Sequence, residues 1–226
     1  MKKLKYISFI YELLRKFTKK KEGKNKGNIS IKVIGIGCGG CNIIDSLSDL
    51  LDTRITLIAC DTDKHVIERS KAKVKIKIGN SDLGCGNNPE KGIQEIKKDL
   101  YKITNEFKTK TDIVFCIACL GGGFSNGATP IIINELKNLG IQIISIVTFP
   151  FLFEGEKKIL NSSDIAAYIK EKSKFLFAFR NENLLENNKE LPLIDSLKKT
   201  NKFISEYVAN LIKQCENHNS LNRLNP

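Results

Sequence analysis

The chain has 226 residues, 41% of them hydrophobic and 27% charged, an ordinary balance for one large domain able to bury a real core. Its net charge of +12 is uneven: residues 1–27 hold ten Lys/Arg against Glu12 and Glu22, so +8 lies there and +4 is left for residues 28–226. A basic tail on a nearly balanced domain argues against a nucleic-acid-binding fold, and the sequence has no apolar run long enough to span a bilayer. Glu12 interrupts the run Tyr6–Leu14 and no small-residue cleavage site follows, so no signal peptide is expected. A cytoplasmic protein with seven reduced cysteines is the expectation.

Residues 3–17 place Leu4, Ile7, Ile10, Tyr11, Leu14 and Phe17 on one helical face with lysines at both ends, and Lys19–Asn28 reads as a charged, flexible linker. Two readings stay open. One is an interfacial helix on an anionic membrane, peripheral to it, or a docking helix for a partner. The other is a helix packed back on the domain, or a frayed arm. From Ile31 strands and helices alternate. Strands are expected at Ile31–Ile36, Ile55–Cys60, Val74–Ile78, Ile113–Ala118, Ile141–Thr148 and Phe175–Phe179. Helices are expected near Asn42–Leu51, Pro89–Phe107, Gly127–Leu139, Asp164–Lys172 and Leu193–Cys215. This is the α/β pattern of a doubly wound, mostly parallel sheet, with ligands outside the carboxyl ends of the strands. The expected units are a basic helix and linker (1–29), one α/β domain (30–215) and a short polar tail (216–226).

The strand ends carry three glycine-rich turns. The first, Gly35 to Asn42, matches G-x-G-x-x-G between a strand and a helix, with Asp61 and Asp63 just past the second strand. Taken alone this is a weak dinucleotide fingerprint. The second is Asp82-Leu83-Gly84-Cys85-Gly86-Asn87-Asn88-Pro89-Glu90, opening a helix. The third is Leu120–Pro130, where Gly121, Gly122 and Gly123 give a polyphosphate close access to the backbone and Ser125 or Asn126 can cap the helix or donate to an oxygen. Glycine-rich turns also occur without any ligand, but three on one sheet edge exceed what a dinucleotide site needs.

These turns, in this order, resemble those of the FtsZ/tubulin family of GTP-binding filament proteins, FtsZ more closely than tubulin. The resemblance covers about Ile31 to Lys213 and takes in Cys60–Asp63, Thr148–Gly155, Asn181–Leu185, and Leu193–Leu197 with Asn201. It implies that the chain binds GTP or GDP, with Mg2+ as a candidate companion. By the same resemblance Cys38, Gly39, Gly40, Cys41 and Asn42, together with Gly84, Gly86 and Asn88, would cradle phosphates, with Asp61 beside them. Gly121, Gly122, Gly123, Phe124, Ser125, Asn126 and Gly127 would take the β- and γ-phosphates. Glu154 would contact the ribose, Lys158 stands near the family's usual arginine, and Asn181 and Asn201 would read the guanine edge. Leu197 occupies the place of an aromatic that stacks on the base. Partners implied are FtsZ-like subunits or other division and filament proteins.

Two departures matter. The family signature G-G-G-T-G-T-G is here Gly121-Gly122-Gly123-Phe124-Ser125-Asn126-Gly127, so Phe124 adds bulk and Ser125 adds a Cβ. After the long helix the family has a loop, N-x-D-x-x-D, that lends carboxylates to the nucleotide of the next subunit. Here Glu216–Ser220 contains no Asp and the chain stops at Pro226, so the second domain is expected to be absent and turnover alone to be slow, with no catalytic residue assigned. The alternatives are a pseudo-GTPase interaction module that caps or regulates a full-length filament, and an NAD-dependent oxidoreductase resting on the first turn alone. Cys38-x-x-Cys41 and Cys116-x-x-Cys119 suggest zinc or redox chemistry, but strand alternation turns Cys116 away from Cys119, so no metal site is assigned. His65 and His218 are read as surface residues.

Overall fold

The computed structural model describes residues 29–185 and 191–224. The basic segment 3–17 and its linker lie outside the described residues. Six parallel strands form one sheet: β1 Ile31–Ile36, β2 Thr56–Asp61, β3 Val74–Lys77, β4 Ile113–Cys119, β5 Gln142–Phe149 and β6 Phe175–Arg180. Their order is β3-β2-β1-β4-β5-β6, so the winding reverses between β1 and β4. The central strands β1, β4 and β5 are apolar on both faces and almost wholly buried, as strands covered by helices on both sides must be.

Alternation along each strand feeds two cores. Ile31 and Val33 of β1, with Phe115 and Ile117 of β4, pack under α1 (Gly37–Leu47), α2 (Lys64–Arg69) and the long α7 (Leu193–Leu224). Helix α7 contributes Ile204, Val208, Leu211 and Ile212, each fully or almost fully buried and worth about 1.5–3 kcal/mol. Ile34 and Ile36, with Val114 and Cys116, face α3 (Pro89–Phe107), α4 (Gly123–Asn138) and α5 (Glu156–Lys172). Cys116 and Cys119 therefore do lie on opposite faces.

Lys32 is the charged exception in β1. Its Nζ donates to the Glu106 carbonyl and to Thr109 Oγ1 (2.7 Å) and lies over the Phe107 ring, closing the carboxyl end of α3. Burial lowers its pKa, partly offset by Glu106.

Helix boundaries differ from the sequence expectation in an informative way. Both α1 and α4 begin about one turn earlier, because their glycines belong to the first helical turn and not to a preceding loop. Helix α2 was not expected; it forms because Asp63 caps it, Oδ1 accepting the His65 (2.8 Å) and Val66 (3.4 Å) amides. Helix α5 starts eight residues early, after a 3-10 turn at Leu152–Glu154, and α6 (Asn181–Leu185) follows β6 directly. The long helix runs past Cys215 to Leu224, with no glycine or proline to stop it, so residues 216–224 extend α7 where a short polar tail was expected.

Candidate functional site

The site forms where the winding reverses. Strands β1 and β4 run side by side, with Ile36 opposite Ala118; β1 turns at once into α1, and β4 passes through Leu120, Gly121 and Gly122 into α4. Gly37 makes the first turn with φ +79°, and a Cβ there would stand 3.1 Å from the Ser125 Cβ of α4. A Cβ on Gly39 would fall 2.5 Å from the Cβ of Cys119. The amino ends of α1 and α4 are thus in contact, and the first amides of each have no acceptor within their helix. Two positive helix ends converge on one cavity of about 360 Å³, lined by residues 37–39, 61–63, 83–86, 119 and 122–125.

The glycines of the third turn serve different ends. Gly123 donates its amide to the Gly86 carbonyl (2.9 Å), and a Cβ on it would lie 2.5 Å from Gly86 O and 2.6 Å from Asn88 N. A Cβ on Gly127 would collide with the Pro89 carbonyl, and one on Gly92 would meet Gly123 O at 2.6 Å. These residues let α3 and α4 cross backbone to backbone. Gly122 is the one with room above it, Ser125 Oγ being its nearest neighbour at 3.2 Å. Gly121 is held by Asn126, whose Oδ1 accepts its amide at 2.8 Å, so Asn126 clips the loop and does not cap the helix. The Phe124 ring is 4% exposed and joins the core beneath α3 and α4, which takes its bulk largely out of the cavity. Ser125 Oγ donates to the Gly122 carbonyl (3.2 Å) within the same turn.

Asp61 is the buried acid of the cavity, 4% exposed. Its Oδ1 accepts the Thr62 amide (2.6 Å), the Thr62 hydroxyl (3.3 Å) and the Asp63 amide (3.1 Å). Burial raises its pKa, and those backbone amides pull it part of the way back. Cys38 lines the cavity, whereas Cys41 turns into the core beside Cys60, its thiol held protonated by burial. Burial likewise pushes the Cys119 thiol up to about 11. Among the described residues no three His, Cys, Asp or Glu side chains cluster as a metal site.

The remaining expected residues divide. Asn88, Gly121, Asn126, Glu154 and Lys158 line a second cavity of about 370 Å³ on the α3–α5 side of the third turn. Asn88 caps α3, accepting the Lys91 amide (3.0 Å), and Lys158 Nζ lies 3.1 Å from Glu154 Oε2. Gly40 packs against the Ile117 carbonyl, and Gly84 and Gly86 border the first cavity. Asn42 sits beside Cys38 one turn along α1 and carries a contact from Arg69. Asn181 opens α6, and Leu197 and Asn201 stand half-buried in the first turns of α7; none of the three lines either cavity. Leu83, Cys119 and Arg69 were not foreseen as site residues. Cys119 ends β4 at the mouth of the third turn, a position legible in hindsight, whereas Arg69 depends on a helix that sequence periodicity did not reveal.

A parallel doubly wound sheet with glycine turns at its switch point defines an α/β nucleotide-binding type of domain. The description "Tubulin/FtsZ family, GTPase domain" matches residues 30–189, and the chain belongs to that family. It is 34% identical over 185 residues to the cell division protein FtsZ of Aquifex aeolicus, covering 80% of this chain and 50% of that one. It is 33% identical to the FtsZ of Mycoplasmopsis pulmonis, covering 80% and 48%. The chain thus spans about half the length of the curated relatives it matches. Among solved structures, an empty FtsZ dimer from M. jannaschii superposes with a TM-score of 0.78 at 28% identity, covering 91% of this chain and 59% of that one. The fold is shared with a GTPgS-bound protofilament of CetZ2 from Haloferax volcanii, TM-score 0.72 at 16% identity over 84% and 59%.

Proposed function

We propose that the chain binds GTP or GDP at the switch point and works by associating with FtsZ-like subunits or other division and filament proteins. The convergence of the α1 and α4 amino ends on one cavity carries this reading, because it is built to hold an anion. Phosphates lie over the amides of Cys38–Gly39, Gly122, Phe124 and Ser125, the Gly123 amide being engaged by the Gly86 carbonyl, while Glu154 meets the ribose with Lys158 paired to it, and Asn181 and Asn201 the base. Leu197 offers a smaller apolar surface to the base than an aromatic ring does. Mg2+ suits the donor set: Asp61 and Asp63 are hard oxygen ligands, and a cation beside Asp61 would relieve a carboxylate whose burial now costs energy. When bound, the metal supplies charge neutralisation for the phosphates.

Turnover by the isolated chain is slow in this reading, because Glu216–Ser220 holds no Asp where the family's N-x-D-x-x-D loop lends carboxylates to the nucleotide of the next subunit. The alternative, an interaction module with a dead pocket, draws on Leu197 and on the lack of a cationic side chain in the cavity lining. Phe124 does not support it, since its ring lies in the core. Among the described residues no helix is long and apolar enough to cross a membrane; the anionic-membrane contact of residues 3–17 remains part of the proposal, to be read by liposome sedimentation with and without residues 1–27.

Equilibrium titration of GTP, ATP and NAD with magnesium present tests the central claim. Micromolar GTP binding that excludes ATP and NAD is expected. Absence of GTP binding would overturn it and favour the interaction module.

A further inference from the structure

The cavity has a charge problem. Its lining holds Asp61 and Asp63 and no cationic side chain, so a polyphosphate entering it meets two carboxylates against only helix dipoles and amides. Two cations reach its edge, Lys91 and Arg69, and Lys158 belongs to the second cavity. Lys91 Nζ is bonded to the Gly84 carbonyl at 3.0 Å, bracing the second turn, and Lys158 is ion-paired with Glu154. Arg69 is different. It ends α2, is exposed, and has no carboxylate within ion-pair distance among the described residues.

Its guanidinium reaches back across the first turn of α1. Nη2 stands 3.5 Å from Cys38 Sγ and 3.3 Å from Asn42 Oδ1. Both partners are neutral, so the fork of five N–H donors is only partly used, and by weak acceptors. The contact to Asn42 also has a directional effect. An amide left alone offers a donor and an acceptor equally; with Oδ1 engaged by Arg69, Asn42 turns its N–H groups to the Cys38 side, Nδ2 lying 3.8 Å from Cys38 Sγ.

We infer that Arg69 is a phosphate-binding residue of this cavity and that it positions Asn42 as a hydrogen-bond donor toward the same ligand. The inference rests on the nucleotide reading above. The thiol of Cys38 and the amide of Asn42 form the resting seat of the guanidinium, and a phosphate oxygen replaces the thiol as its stronger, charged acceptor. Arg69 thereby supplies the cation that Asp61 and Asp63 make necessary.

The test compares the full chain with R69A and R69K, magnesium present, measuring affinity for GDP directly and for guanosine by competition. R69A is expected to weaken GDP on the order of tenfold or more, the scale of a lost charge-assisted hydrogen bond, and to leave guanosine binding and the melting temperature unchanged. R69K is expected to recover part of the GDP affinity, keeping the charge but not the fork. GDP binding by R69A equal to that of the parent chain, or equal losses for GDP and guanosine, would overturn the role of Arg69 while leaving the nucleotide site standing. Failure of the parent chain to bind GDP at all would overturn the nucleotide reading and this inference with it.

Discussion

Gly122 and Gly123 are neighbours in sequence, yet an alanine at each is expected to do different things. At Gly123 a Cβ would sit 2.5 Å from Gly86 O and 2.6 Å from Asn88 N, whereas ordinary contact begins near 3.4 Å. The three nearest atoms, Gly86 O, Asn88 N and Asn88 O, are all backbone, so no side chain can rotate away, and α3 must withdraw from α4 by several tenths of an ångström or more. Overpacking of this kind costs about 1–3 kcal/mol, which in a chain of this size lowers Tm by roughly 2–12 °C. The same shift moves the Gly84–Asn88 turn, so ligand affinity falls too. At Gly122 the backbone is extended (φ −85°, ψ 155°) and the nearest atom to a new Cβ is Ser125 Oγ at 3.2 Å, a side chain able to turn. G122A should keep Tm within the roughly 0.5 kcal/mol scatter of benign surface changes while weakening GDP, because the methyl group stands over the cavity. Thermal melts and GDP titration of both variants check this. A G123A protein as stable as the parent would refute the argument that α3 and α4 need an absent side chain to cross; a G122A protein that binds GDP unimpaired would refute a ligand lying over that turn.

Asp61 makes a pH prediction. Its folded pKa is raised by burial above 3.8, so the folded state holds a proton that the unfolded chain has released, and its contribution to stability falls as pH rises through that interval. D61N keeps the acceptor for Thr62 and Asp63 and is expected to gain Tm over the parent chain as pH rises above 3.8, levelling off once the folded Asp61 has ionised, and to lose the magnesium dependence of GDP binding; a pH-independent Tm difference would show that burial of the charge is not what matters. Lys32 gives the opposite slope: its folded pKa lies below 10.5, so the unfolded chain binds more protons, and stability rises with pH towards 10.5 by an amount that K32M should abolish in denaturant melts. Ile212 on α7 is fully buried, and I212A is expected to cost roughly 2–5 kcal/mol in urea unfolding; a negligible loss would mean that α7 does not anchor that face. Thiol labelling near neutral pH should modify Cys38 first, with GDP protecting it, while the buried Cys41, Cys60 and Cys116 stay unmodified until the chain unfolds.

Local grammar was legible in the amino-acid order. The apolar runs of β1, β4 and β5 demand a sheet covered on both faces, and the glycine turns after three strands mark the edge where a ligand belongs. These signals sit within a few residues of one another, so periodicity and turn chemistry expose them. Tertiary structure alone decided what each turn residue does. Gly123 and Gly127 read like phosphate-loop glycines, but the atoms that forbid their side chains belong to Gly86, Asn88 and Pro89, on another turn. Phe124 reads as an obstruction until α3 and α4 close over its ring. Arg69 was silent because six residues of helix, held by one aspartate cap, carry too little pattern to be seen, and its target on α1 lies across the fold. Each of these outcomes is set by distances between segments far apart in the chain, which only the packed sheet and its helices establish.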